Sequence, residues 1–119
     1  MRTHDNELFI YYDPNSSRAK KVLAYARTIA NHINEVEYHK TPLTSTIWEQ
    51  LIEQLGLRPK DLLNKSHPYY QENIQGKSFD DEGWLNVLIH NPDLIKAPIV
   101  VKGTKAILCN NPTDILQLN

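Results

Sequence analysis

The sequence predicts an α/β domain: a four-stranded mixed sheet flanked by helices, with a helical insertion between a βαβ half and a ββα half. Two observations predict it. A strand pattern, a helix pattern and a second strand pattern follow one another at the start of the chain. Two short apolar strands joined by Gly103-Thr104 precede a last helical turn at its end. Between these halves the apolar residues recur at helical spacing only.

Each element has a local cause. Leu8-Phe9-Ile10-Tyr11-Tyr12 is a strand of β-favouring residues. Asp13-Pro14-Asn15 makes a turn, and Ser16 is suited to cap a helix that opens with Ser17 and Arg18. That helix carries Ala19, Val22, Leu23, Ala26, Ile29 and Ala30 at the spacing of one buried face. Val36 and Tyr38, alternating with Glu35, Glu37 and His39, predict a short second strand. Thr44 or Ser45 can cap a second helix that buries Ile47, Trp48, Leu51 and Leu55 and stops at Gly56. Pro59 opens a short helical turn over residues 60–63. Residues 64–76, with Pro68-Tyr69-Tyr70, are expected to be loop. Asp80 or Asp81 starts a third long helix with Trp84, Leu85, Leu88 and Ile89, ending near Asn91-Pro92. Ala97-Pro98-Ile99-Val100-Val101 and Ala106-Ile107-Leu108-Cys109 form the hairpin, and Ile115 and Leu116 mark the last short helix. The order is β-α-β-α-α-α-β-β-α.

Bulk properties bound the function. At 119 residues the chain is expected to be a single domain. Thirteen basic against 14 acidic residues give a net charge of -1, which offers no broad attraction to nucleic acid or to an anionic membrane. No apolar run is long enough for a transmembrane helix, and the polar start of the chain lacks the apolar stretch of a signal peptide. One cysteine, Cys109, excludes an internal disulfide and fits a reducing compartment, so a cytoplasmic location is expected. His4, His32, His39, His67 and His90 are dispersed, and no two have the spacing of a helical metal pair. No metal or cofactor is expected.

The element order, and a helix start fed through a tight turn by the first strand, is similar to the thioredoxin-like fold. Four stretches make the chain resemble, more narrowly, the ArsC arsenate reductase family and its sister branch, the Spx regulators. Residues 11–16, Tyr-Tyr-Asp-Pro-Asn-Ser, resemble the family's strand and its Asn-Pro-x-Cys loop. Residues 60–65, Lys-Asp-Leu-Leu-Asn-Lys, resemble its Arg-x-Leu-Leu-Arg-Lys segment, and His67-Pro68-Tyr69-Tyr70 the Glu-Pro-Tyr that follows. Residues 90–101 resemble its His-Pro-x-Leu-Ile-x-Arg-Pro-Ile-Val-Val, and Leu108-Cys109-Asn110 its Leu-Cys-Arg turn. The resemblance implies a cis proline at Pro98 facing the active loop.

It also implies a site, and this chain departs from it. The family's cysteine attacks arsenate while three arginines neutralise the oxyanion, work suited to a permanent charge and a bidentate fork. Here the cysteine position is Ser16, and the arginine positions are Lys60, Ala97 and Asn110. The Cys-x-x-Cys switch of the Spx branch is represented by Ser16 and Ala19. Ser16 is expected to act as a cap, since no acid-base partner is placed beside it. Ser17, Arg18 and Lys60, with Lys20 and Lys21, are candidates for an anion pocket at the helix start. Cys109, at the end of the last strand, is a candidate relocated thiol as well as an ordinary small core residue.

Three functions follow. The first is a binding or regulatory module without thiol chemistry, taking a protein partner or a small anion. The second is an active glutathione- or thioredoxin-linked arsenate reductase-like enzyme that uses Cys109. The third is an Spx-like regulator binding RNA polymerase through the helical insertion.

Overall fold

The computed structural model describes residues 7–118. These fall into two compact units. The first holds the described residues up to Thr41 together with those from Ala97 on, and the second runs from Pro42 to Lys96.

The first unit is a four-stranded sheet with β1 (Glu7–Tyr12), β2 (His32–Glu37), β3 (Ile99–Lys102) and β4 (Lys105–Leu108) in the order β2-β1-β3-β4. β1 is parallel to β2 and antiparallel to β3, and β3 is antiparallel to β4. The helix α1 (Ser17–Ile29) makes the parallel crossover, and a 3₁₀ helix over Pro112–Leu118 ends the chain. One face of the sheet presents Leu8, Ile10, Tyr12 and Val100, which pack with Ala19, Val22, Leu23 and Ala26 of α1 and with Cys109, Ile115 and Leu118. The alternation of strand side chains puts Tyr11, Ile99 and Val101 on the opposite face, also buried. The architecture is the mixed α/β sheet that the element order predicts.

The second strand and the last helix differ from the sequence expectation. β2 begins at His32, well before Val36, and ends before Tyr38. Its extent is set by the ladder with β1, which pairs Glu7 with His32 and continues in register to Tyr12 with Glu37. Tyr38 is buried beyond the strand and its ring stacks on His39 at 4.8 Å. The last helix is 3₁₀ throughout; Ile115 is buried in it, while Leu116 is exposed.

The second unit contains α2 (Ser45–Leu55), a 3₁₀ turn (Pro59–Leu62), α3 (Pro68–Asn73), α4 (Asp81–His90) and a further 3₁₀ turn (Pro92–Leu94). Thr44 caps α2 by accepting from the Ile47 amide, and Gly56 ends it at φ 69°, a left-handed conformation that a residue without Cβ adopts at no steric cost. Asp80 caps α4 through the Gly83 amide at 2.7 Å. Residues 62–64 and 94–96 are tied by an antiparallel bridge between Leu63 and Ile95, with the Asn64 amide donating to Leu94 and the Lys96 amide to Leu62, each at 2.7 Å.

The expected loop over 64–76 is corrected by α3. Pro68 stands in its first turn, where a missing N–H costs nothing, and His67 Nδ1 accepts from the Tyr69 amide at 3.1 Å. Tyr70 and Ile74 are buried. Six residues are too few for a visible helical period, so the signal lay only in the proline and the two apolar anchors.

Candidate functional site

The sheet register collects most of the candidate residues at one end of the first unit. β1 leaves the sheet after Tyr12, whereas β3 enters it at Ile99, paired with Tyr11. Ile99 also pairs with Leu108, the last residue of β4. The turn to Ser16, Ala97-Pro98, and Cys109-Asn110 therefore emerge at the same edge. The Ala97-Pro98 bond is cis, and the Pro98 carbonyl accepts from the Cys109 amide at 2.9 Å.

The turn that delivers α1 is held by its own side chains. Asp13 Oδ1 accepts from the Asn15 amide at 2.9 Å, and the Asp13 carbonyl accepts from the Ser16 amide at 3.0 Å. This is the short-range bonding that makes aspartate a turn former. Ser16 then has extended backbone angles, and its Oγ accepts from the Ala19 amide at 3.2 Å. The hydroxyl thus caps α1 and satisfies one of the helix's unpaired donors. No acid lies in the first turn of α1; Arg18, Lys20 and Lys21 are exposed there and form no ion pair among the described residues. Cations at this end oppose the helix dipole.

Cys109 is fully buried and packs against α1 and the final 3₁₀ helix. Loss of water pushes its thiol up to about 12, and the negative charge of Asp114 adds to the shift. A nucleophilic cysteine needs the opposite, a thiolate favoured by nearby positive charge. Asn110 is exposed and Ala97 half-buried, so the two neutral residues at these positions flank the cis proline and the buried thiol. In the same unit Tyr12 donates to Glu35 at 3.1 Å; burial, then that bond, then the charges of Glu35 and Glu37 raise its phenol to about 12. Burial alone raises Tyr11 to about 12.

Lys60 belongs to the second unit. Its Nζ stands 5.1 Å from the centroid of the Trp84 ring, over the ring face. The histidines do not assemble. His32 lies 3.8 Å from Glu7, His39 stacks on Tyr38, His67 caps α3, and His90 Nδ1 meets the Asn86 carbonyl at the end of α4. His4 lies outside the described residues. Among the described residues no group of three or more His, Cys, Asp or Glu is gathered as metal ligands would be, and no helix is long and apolar enough to cross a membrane. The groove of the second unit that contains Lys60 and Trp84 escaped sequence reasoning, which placed Trp84 in the core, Lys60 in an anion pocket at the start of α1 and residues 64–76 in a loop.

A βαβ half joined to a ββα half, with a cis proline at the sheet end where the turn before α1 emerges, defines a thioredoxin-like α/β protein. The chain belongs to the ArsC family, whose model matches residues 11–118. It is 28% identical over 114 residues to an arsenate reductase of Yersinia enterocolitica, covering 95% of this chain and 81% of that one. It is 26% identical over 111 residues to the uncharacterized protein YfgD of Escherichia coli K12, covering 92% and 93% of the two chains. The structure of an arsenate reductase from Vibrio cholerae superposes with a TM-score of 0.85 at 25% identity, covering 98% of this chain and all of that one.

Proposed function

We propose that this chain is an ArsC-family protein that binds rather than reduces, a cytoplasmic module whose sheet end, from the Ser16 turn to Asn110, receives a small anion or a protein partner. One observation carries the reading. The only thiol in the sequence, Cys109, is buried and held protonated, while the hydroxyl of Ser16 is committed to capping α1. Without a thiolate there is no group to take up arsenate and pass electrons to a second thiol. Charge points the same way. Ala97 and Asn110 supply no cation beside Pro98, and losing a preorganised donor of transition-state charge costs about a hundredfold or more in rate. The exposed cations Arg18, Lys20 and Lys21, with the amides that open α1 at Ser17, favour a loosely held oxyanion at that helix start.

The test is turnover of arsenate with glutathione and glutaredoxin, and separately with thioredoxin. Background rates are expected, unchanged in Cys109→Ser. Turnover that vanishes in Cys109→Ser overturns the reading in favour of an active reductase. Ser16→Cys alone restores little, because the two neutral positions remain. Phosphate titrated against the labelled protein is expected to move the amides of Ser16 to Ala19. Absence of those shifts leaves protein-partner binding as the better reading, and co-purification of RNA polymerase with the tagged protein would favour the Spx-like alternative.

A further inference from the structure

The second unit carries a groove of about 440 Å³ whose walls come from separate segments. Arg58 and Lys60 enter from the turn after α2, Lys77 and Phe79 from the stretch before α4, and Asp81 and Trp84 from α4 itself. The volume lies in the range of small-ligand sites, about 300–1,000 Å³.

The charges in this groove are unevenly committed. Arg58 is spent on Asp81, to whose Oδ1 its Nη2 and Nε donate at 2.9 and 3.2 Å. The Asp61 carboxylate, also in the wall, accepts from the Arg58 amide at 3.0 Å. Lys60 and Lys77 have no carboxylate partner among the described residues. Lys60 instead lies over the Trp84 ring, the contact an ammonium makes when a π face is the best neighbour available. Two unpaired ammonium groups in one concavity favour a dianion.

The apolar part of the wall is a ring. Phe79 stands edge-on to Trp84, with centroids 4.9 Å apart and planes at 84°, and is 40% exposed although large and aromatic. Trp84 is only 4% exposed, so Phe79 supplies the open aromatic surface. Exposed rings of this kind take up flat ligands by stacking.

We propose that this groove binds a small phosphate dianion carried on a flat aromatic ring, an aryl or nucleoside phosphate, with Lys60 and Lys77 on the phosphate and Phe79 on the ring. This site is lined wholly by residues of the second unit; Lys60 is also a candidate of the anion pocket expected at the start of α1, whereas Lys77 and Phe79 belong to this groove alone.

The experiment is an NMR titration of the whole protein with AMP, adenosine and inorganic phosphate in parallel. AMP is expected to shift the amides of Gly76 to Phe79 and the Trp84 indole, saturably, and to do so more tightly than either fragment. Lys60→Ala and Lys77→Ala are each expected to weaken AMP about fivefold, the scale of an exposed charge pair, and more so at low salt. Phe79→Ala is expected to cost about fivefold or more for AMP, the scale of base stacking, and to leave phosphate unchanged. No shifts in the groove at tens of millimolar AMP overturn the proposal. So does AMP binding that survives the double lysine variant, or an AMP affinity equal to that of phosphate and unmoved by Phe79→Ala. Phosphate shifts confined to Ser16–Ala19, with no groove shifts from AMP, sustain the proposed function and overturn this inference. Groove shifts alone do the reverse for the anion site.

Discussion

Chemical modification of Cys109 tests most directly whether this family member retains a usable thiol. Its pKa is raised from an ordinary 9.0 to about 12, chiefly because the thiolate has no water around it. Three units mean roughly a thousandfold less thiolate at neutral pH, and each unit corresponds to about 1.4 kcal/mol favouring the protonated form. Burial adds a second barrier. At 0% exposure the sulfur cannot meet a reagent until the final 3₁₀ helix or the whole unit opens. Global opening of a small domain costs about 5–15 kcal/mol, and that population scales the observed rate. Alkylation by iodoacetamide at pH 7.5 should therefore run at least about a thousandfold slower in the native protein than in strong denaturant. The assay is mass spectrometry of quenched time points in buffer and in 8 M urea. A native rate within tenfold of the unfolded one refutes the account, because it requires an accessible, ionised sulfur. The same outcome would reopen Cys109 as a reductase thiol.

Alkaline pH should destabilise the first unit. In the unfolded chain Cys109 and Tyr11 release their protons near 9.0 and 10.0, whereas in the fold both hold them to about 12. The folded state then binds more protons, so stability is fully present below pH 9 and falls as pH rises toward 12, by up to about 1.4 kcal/mol per pH unit for each group. Urea midpoints at pH 8, 9.5 and 10.5 check the sign, and a midpoint that rises across this series contradicts it. Ser16→Ala should cost about 1 kcal/mol, within a range of roughly 0.5–2, while Ser16→Asn, another preferred cap, keeps most of the stability. Equal urea midpoints for wild type and Ser16→Ala would mean that the Oγ–Ala19 bond contributes nothing.

Local chemistry was legible in the chain. Ser16 caps α1, and Thr44 and Asp80 prove to be the caps where the chain offered Thr44 or Ser45 and Asp80 or Asp81, because a short oxygen-bearing side chain reaches an amide three residues on, an interaction that needs no distant partner. Gly56 stops α2 for an equally local reason, its left-handed backbone. These signals, with the strand hairpin at Gly103-Thr104, were enough for the strands and longer helices in their order and hence for the fold class. The candidates Ser16, Lys60, Ala97 and Asn110 rest on the family resemblance alone, which is drawn one residue at a time from the chain.

The four strands, the longer helices, their order and the identity of each candidate side chain could thus be read from the chain, whereas α3 could not. The tertiary structure decided everything that depends on which residues meet. β2 runs from His32 because a parallel ladder to β1 extends it, not because its own pattern alternates there. α3 forms because Tyr70 and Ile74 find burial, a gain that six residues cannot announce by periodicity. Cys109 is a core thiol and not a surface one because it packs with α1 and the last 3₁₀ helix, and its pKa follows from that burial. The groove of Arg58, Lys60, Lys77, Phe79 and Trp84 exists only once three separate segments converge. Burial, desolvation and the meeting of distant charges are properties of the folded arrangement, whereas caps and turns are properties of neighbouring residues.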